Sequence, residues 1–98
     1  MDRNGIVFEY DYAKSTSNKS KHAINFEEVQ VLWEDPQARS FEAMAVLGEQ
    51  REAMIGKIYD KLWTVIYTKR GNRIRLISAR RAREKERELY EKTNTTAN

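Results

Sequence analysis

Basic side chains are concentrated near the end of the chain, where seven lysines and arginines occur without an intervening acid. Guanidinium groups bind phosphates and carboxylates through pairs of parallel hydrogen bonds, so such a run suits a polyanionic ligand. A solvated basic face would have the same composition, and both interpretations stay open at this point. The seven residues are Lys69, Arg70, Arg73, Arg75, Arg80, Arg81 and Arg83.

One chemistry that a cationic surface supports is metal-independent cleavage of RNA. It needs a group that takes the proton from the 2′-hydroxyl, a group that protonates the 5′-oxygen, and cations that stabilise the phosphorane charge. Clustered arginines on a rigid sheet would supply the cations. His22 is the only histidine and so the natural proton shuttle, with Tyr67 or a lysine as second candidate. A histidine at a helix end is also commonly structural, because its charge suits the helix dipole.

Other catalytic chemistries lack their signatures in this sequence. There is no GxxxxGK[ST] phosphate loop, no GxGxxG, no HExxH and no GxSxG elbow. No cysteine occurs, so disulfides and thiolate metal sites are excluded and a reducing compartment is expected. We predict no cofactor and no metal site.

Length and composition predict one small folded domain over residues 1–98, with residues 93–98 as a frayed tail. Hydrophobic residues make up 40% of the chain and charged residues 34%, as in globular proteins. Residues 1–60 carry seven Lys/Arg against eleven Asp/Glu (net −4), and residues 61–98 carry eleven against four (net +7). The basic second half predicts a nucleic acid or an acidic protein as partner. Because no apolar run could span a bilayer and no signal-peptide pattern occurs, we expect a cytoplasmic protein without a membrane partner.

The arginines lie on a predicted β-hairpin. Strand-forming residues flank the segment Lys69–Asn72, and Gly71 tolerates the positive φ that a tight turn requires. Because strand side chains alternate, Arg73 and Arg75 are predicted to share one face, while the apolar residues that alternate with them face a core.

Further elements are predicted around the hairpin. Asp11 is the expected N-cap of a helix that ends near His22. Asn25 and Glu28 form a capping box for a second α-helix, which ends at Asp35-Pro36. The remaining predicted elements are a strand at Ile6–Tyr10, a strand within residues 37–48 (where a helix also fits), a strand at Arg51–Ile58 and a charged helix at Arg83–Lys92.

A longer pattern of residues runs through most of the chain. Its first half consists of Phe8-Glu9-Tyr10-Asp11, Lys14, Asn18, Lys21-His22 and Phe26-Glu27-Glu28. Its second half consists of Asp35-Pro36, Arg51, Ile55-Gly56, Val65-Ile66-Tyr67-Thr68, Arg70-Gly71, the run from Ile74 to Arg80, Glu86-Arg87 and Tyr90. In order and spacing these residues resemble the BrnT family of bacterial toxins over residues 6–91. The family opens with a pattern close to F-E-W-D-x-x-K-x-x-x-N-x-x-K-H-G-[IV]-x-F-E-E, in which Tyr10 and Ala23 replace the usual Trp and Gly.

The resemblance implies an α+β fold of the RelE-like type: a compact domain with helices packed on a twisted antiparallel sheet of about four to five strands, and a C-terminal helix. It also implies a metal-independent endoribonuclease that inhibits translation. The implied partners are the RNA substrate and a cognate BrnA-like antitoxin, a ribbon-helix-helix DNA-binding protein through which operator DNA would be contacted. Site residues assigned on this basis are His22, Arg51, Tyr67, Arg75 and Arg80 for catalysis, and Lys14, Lys21 and Arg70 for RNA binding, to which the basic run adds Arg73, Arg81 and Arg83.

Two other functions fit the same basic surface. A non-catalytic nucleic-acid-binding or regulatory module of the same fold would present scattered arginines. An assembly protein would dock an acidic helix against the hairpin. Convergence of Arg51, Arg75, Arg80 and His22 on one phosphate-sized site would favour the ribonuclease.

Overall fold

The computed structural model describes residues 2–3, 5–43 and 48–95, and its strands form one mixed sheet. The elements are β1 (Asp2–Arg3), β2 (Ile6–Glu9), α1 (Tyr12–His22), a 3₁₀ helix (Glu28–Glu34), β3 (Arg39–Glu42), β4 (Glu52–Ile58), β5 (Lys61–Arg70), β6 (Arg73–Arg81) and α2 (Glu84–Thr95). The strand order is β1-β2-β6-β5-β4-β3. β2 and β6 run parallel, and the other neighbours are antiparallel.

The predicted hairpin lies at the centre of this sheet. β5 and β6 pair from Arg70 opposite Arg73 to Trp63 opposite Arg81. The turn between them uses Gly71 at a φ of 62°, as a type II′ turn requires at its first central position. The prediction of the hairpin and its turn is therefore confirmed.

A β-bulge in β6 determines which side chains share a face. Ile66 pairs with Ser78 and the next residue, Tyr67, pairs with Leu76, so Ile77 has no partner in β5. Beyond this extra residue, the alternation of β6 side chains between the two faces of the sheet shifts by one position. As a result Arg75 and Arg80, which a regular strand would place on opposite faces, lie on the same face.

One face of the sheet, called the first face from here on, carries Val65 and Tyr67 and the main hydrophobic core. α1 and the 3₁₀ helix pack against it, and Tyr67 is the largest of its fully buried side chains among the described residues. The Trp33 ring meets the rings of Phe8 and Tyr67 edge to face at centroid distances of 5.0 and 5.1 Å. Other buried members of this core are Ile24, Phe26, Val29, Leu32, Trp63, Val65, Ile74, Leu76 and Ala79.

Helix α1 begins as predicted and is attached to the sheet by one buried amide. Asp11 caps the helix by accepting the backbone N–H groups of Ala13 and Lys14 on its Oδ1. Asn18 Nδ2 donates to the carbonyl oxygens of Ile24 (2.7 Å) and Ala79 (2.9 Å), and its Oδ1 accepts the N–H of Ala79 (3.2 Å). One side chain thus connects α1, the turn after it and β6.

The second predicted helix forms, but it is a 3₁₀ helix and not an α-helix. The two hydrogen bonds of the predicted capping box are present, since Asn25 Oδ1 accepts the Glu28 N–H and Glu28 Oε1 accepts the Asn25 N–H. The helix nevertheless begins only at Glu28, so its N-cap residue is Glu27 and not Asn25 as predicted. Phe26, Val29 and Leu32 are each at most 1% exposed. Val29 and Leu32 are three residues apart, which matches the period of a 3₁₀ helix and places both on one side of it, and Phe26 is buried in the turn before the helix.

Helix α2 crosses the second face of the sheet. Tyr90 packs there with Ile55, Leu62 and Ala82 as a smaller core. Its hydroxyl donates to Asp35 Oδ2 at 2.9 Å, and burial together with this carboxylate raises the pKa of Tyr90. Tyr90 therefore anchors the middle of the C-terminal helix to the sheet.

The predicted α+β class, with helices on a sheet and a C-terminal helix, is confirmed. The sheet differs from the prediction in that β2 is parallel to β6. β6 is the last strand along the chain, and it lies between β2 and β5 near the centre of the sheet. The strand assigned within residues 37–48 is present as β3, and residues 44–47 lie outside the described part. α2 extends to Thr95, beyond its predicted end at Lys92.

We expect Asn18→Ala to lower the free energy of unfolding by about 2–4 kcal/mol, because it leaves three buried backbone groups without partners. Denaturant titration measures this difference. Ser17→Ala, at an exposed position of the same helix, should stay within about 0.5 kcal/mol of the wild type. An Asn18→Ala protein as stable as the control would show that the amide does not hold α1 to the sheet.

Candidate functional site

A small cleft of about 90 Å³ opens beside the β-bulge. Three of the predicted basic residues meet in it, each from a different element: Lys14 from α1, Arg51 from the start of β4 and Arg75 from β6. Two carboxylates, Asp11 and Glu49, also line it, and the remaining lining comes from Leu76 and Ile77. The cleft therefore combines clustered cations with acids that can accept a proton.

Local structure explains how the three cations come together. Lys14 lies in the first turn of α1, directly after the Asp11 cap. Arg75 projects from β6 opposite Thr68 of β5, and Thr68 Oγ1 donates to the Gln50 carbonyl at 2.8 Å, next to Arg51. These bonds join neighbouring strands and place the two guanidinium groups on the same side of the sheet.

Two cations of this region, Arg75 and Arg70, are paired with the chain's own carboxylates. Arg75 Nη1 lies 3.4 Å from Glu9 Oε2, which belongs to the parallel neighbour β2. Arg70 donates to Glu49 Oε2 through Nη2 at 2.8 Å and Nε at 3.2 Å. The Nε of Arg51 is buried and has no hydrogen-bond partner in the described part of the chain. A buried donor without an acceptor is unfavourable, which marks Arg51 as a residue whose hydrogen-bonding capacity the described part of the chain does not satisfy.

Arg80 lies on the same face but serves a different contact. Its Nη1 and Nη2 donate to Glu86 Oε1 and Oε2 at 2.7 and 2.9 Å, and Glu86 Oε1 also accepts the Thr64 hydroxyl and the Arg83 N–H. The Arg80 guanidinium and these additional donors lower the pKa of Glu86 to about 2. This network fastens the first turn of α2 to β5 and β6. Arg80 does not line the cleft.

Two residues proposed for proton transfer lie away from the cleft. Tyr67 is 2% exposed within the main core, its hydroxyl donates to Glu52 at 3.1 Å, and burial followed by this carboxylate raises its pKa. His22 is exposed in the last turn of α1, about 12 Å along the helix axis from Lys14 at a rise of about 1.5 Å per residue. Neither lines the cleft.

The other predicted RNA-binding residues are distributed around the molecule. Lys21 shares the last turn of α1 with His22. Arg73 is exposed at the start of β6, on the same face as Arg75. Arg81 lies 5.4 Å from the centroid of the Trp63 ring, on the first face, and Arg83 is exposed beside the start of α2.

Sequence analysis did not select the two carboxylates of the cleft. Asp11 was assigned only as a helix cap, and Glu49 was not singled out. The signal available for Glu49 was its position two residues before Arg51, which brings it to the same site when that segment leads into a strand. Without the strand order, nothing in the sequence connected Glu49 with Arg75.

No helix in the described ranges is long and apolar enough to cross a membrane. Among the same residues, no group of three or more His, Cys, Asp and Glu side chains could hold a metal ion.

The fold and the cleft define a small basic α+β domain in which three cationic side chains meet at one cleft beside the β-bulge. A family model described as "Ribonuclease toxin, BrnT, of type II toxin-antitoxin system" matches residues 10–86, and the chain belongs to this family of ribonuclease toxins. Membership in a type II system implies an antitoxin partner. Among curated proteins, no sequence matches the chain.

We expect the ion pair of Glu86 with Arg80 to make stability depend on pH. The folded pKa of Glu86, about 2, lies below its ordinary value of 4.5, so its contribution is complete above that ordinary value and disappears as the pH falls toward about 2. Glu86→Gln should therefore lower the free energy of unfolding by about 2 kcal/mol near neutral pH, with a smaller difference in acid.

Denaturant titrations of the wild type and Glu86→Gln at several pH values provide the measurement. Glu88→Gln, at an exposed position of the same helix, controls for removal of a helix charge. A wild-type advantage over Glu86→Gln that stays constant from neutral pH to about pH 3 would contradict the assignment.

Proposed function

We propose that this protein is a metal-independent endoribonuclease that arrests translation, with its active site in the cleft beside the β-bulge. The observation that carries the proposal is the convergence of Lys14, Arg51 and Arg75, from three different elements, on one small opening. Family membership supplies the reaction class, ribonuclease. The cleft supplies a place where a single phosphate group would meet three cations.

The chemistry follows from charge. When the 2′-hydroxyl of RNA attacks the adjacent phosphorus, negative charge accumulates on the phosphorane oxygens in the transition state. Fixed guanidinium and ammonium groups stabilise this charge without having to reorganise, because Arg75 is held by its strand and by Glu9. Arg51 contributes the buried Nε that lacks an acceptor. The side chains thus perform the electrostatic role that a metal ion performs in other nucleases.

The cognate antitoxin is proposed to bind across the same cleft. Carboxylates of the chain itself, Glu9 and Glu49, already contact Arg75 and Arg70, so an acidic segment of a partner has matching cations here. Such a segment would exclude RNA directly. We further propose that this antitoxin has a ribbon-helix-helix DNA-binding domain and that operator DNA is contacted only through it.

A non-catalytic nucleic-acid-binding module is the second candidate. The observation that favours it is the position of His22 and Tyr67, which leaves the cleft without the two proton-transfer residues that the sequence suggested. Such a module would bind RNA through the same cations and release it intact.

The test is growth and total-RNA integrity after induced expression of the wild type and of Arg51→Ala/Arg75→Ala. We expect growth arrest and RNA decay with the wild type. With the double variant we expect a loss of at least about 100-fold in the cleavage rate of purified protein, since removing one stabilising donor commonly costs 10²–10³. Cleavage by the purified wild type should persist in a chelator.

Arg39→Ala/Arg87→Ala is the matched control, because it removes the same charge from two exposed positions outside the cleft. Circular dichroism of all three proteins separates loss of activity from loss of folding. Normal growth and intact RNA with folded wild-type protein would contradict the ribonuclease proposal and favour the binding module.

A further inference from the structure

The cleft requires a proton acceptor that sequence analysis did not identify. Attack by a 2′-hydroxyl needs a group that removes its proton within hydrogen-bond reach of the phosphate. His22 lies beyond that reach, and the Tyr67 hydroxyl is buried against Glu52. Lys14 also lines the cleft and serves there as one of the three cations, so we seek the acceptor among the carboxylates that line or border the cleft, which are Glu9, Asp11 and Glu49.

Two of these carboxylates have structural roles. Asp11 Oδ1 accepts two backbone N–H groups at the start of α1, so protonating it or moving it would disrupt the helix cap. Glu9 lies on β2 beside Arg75, outside the lining of the cleft, and it orients that guanidinium.

The Glu49 carboxylate is accessible from the cleft and is held in a fixed direction by Arg70. It lines the cleft together with Arg51 and Arg75, and its side chain is 36% exposed. Arg70 donates twice to Oε2 and so holds the carboxylate in one direction. In the described part of the chain, Oε1 accepts no hydrogen bond, which leaves its lone pairs available to a ligand in the cleft.

We propose that Glu49 is the general base of the ribonuclease reaction and that Arg70 is its positioning residue. Glu49 Oε1 takes the proton of the 2′-hydroxyl while O2′ forms a bond to phosphorus and the bond from phosphorus to O5′ breaks. The 5′-oxygen takes a proton from water, and Glu49 returns its proton to solvent. The products carry a 2′,3′-cyclic phosphate and a 5′-hydroxyl.

This proposal rests on the ribonuclease function proposed above, and its test keeps the two separable. Single-turnover cleavage of an RNA oligonucleotide is compared for purified wild type, Glu49→Gln and Glu88→Gln, with RNA affinity measured in parallel on a 2′-deoxy analogue. We expect Glu49→Gln to lower the cleavage rate by about 10²–10³-fold with affinity changed by less than about threefold. Glu88→Gln, an exposed acid outside the cleft, should cleave as the wild type does.

A second variant tests whether the group that Glu49 supplies is a carboxylate. Glu49→Ala should regain part of its cleavage rate when formate is added, because the small carboxylate can occupy the vacated space and accept the proton. Arg70→Gln should lower the rate by only about tenfold and show no rescue by formate, as expected of a residue that orients the base.

The charged groups that line the cleft with Glu49 or pair with it are Arg70 from β5, Arg51 directly before β4, Arg75 from β6, Lys14 from α1 and the α1 N-cap residue Asp11. Their presence means that Glu49→Gln also changes the local charge, which the affinity measurement detects. An active wild type whose Glu49→Gln variant cleaves equally fast would overturn the role of Glu49 and leave the ribonuclease function standing. A wild type that binds RNA without cleaving it would overturn both.

Discussion

The three hydrogen bonds of the Asn18 amide determine how the rest of the molecule fits together. They fix α1 against β6 at Ala79, and from Asn18 the helix extends back by about one turn to Lys14 and about two turns to its N-cap, Asp11. A helix with so many serines has little stability of its own and depends on such tertiary contacts. The position of Lys14 at the cleft therefore depends on a buried amide one helical turn away on the same helix.

As Asn18 fixes the position of α1, the bulge at Ile77 determines the face of the sheet on which the β6 arginines lie. It shifts the alternation of β6 so that Arg75 and Arg80 project from the same face, where α2 covers one end and the cleft opens at the other. Bulges commonly occur next to functional sites because they redirect a side chain while keeping the strand paired on both sides. Here the bulge also separates two uses of arginine, an ion pair with Glu86 on one side and an accessible guanidinium on the other.

The sequence predicted what depends on near neighbours. The Asp11 cap, the capping box of Asn25 with Glu28 and the turn at Gly71 each need only a few consecutive residues, and all three are present. Arg51, Arg75 and Lys14 were chosen from the resemblance, and the fold brings these three together. What the sequence could not show depends on contacts between distant segments: the 3₁₀ period imposed by packing, the parallel pairing of β2, and the burial of Tyr67. The separation of His22 from the cleft also depends on contacts between distant segments.

The basic run near the end of the chain is therefore not one surface. Arg80 is held by Glu86, Arg81 lies over Trp63, and only Arg75 of the run lines the cleft. The partly buried ion pair with Glu86 and the cation–π contact with Trp63 engage Arg80 and Arg81 within the fold, whereas Arg75 makes only a longer contact of 3.4 Å with Glu9. Composition predicted the sign of the ligand's charge. The arginines of the run therefore differ in their contacts. The contacts of each one depend on the acids and aromatic rings that the fold places beside it.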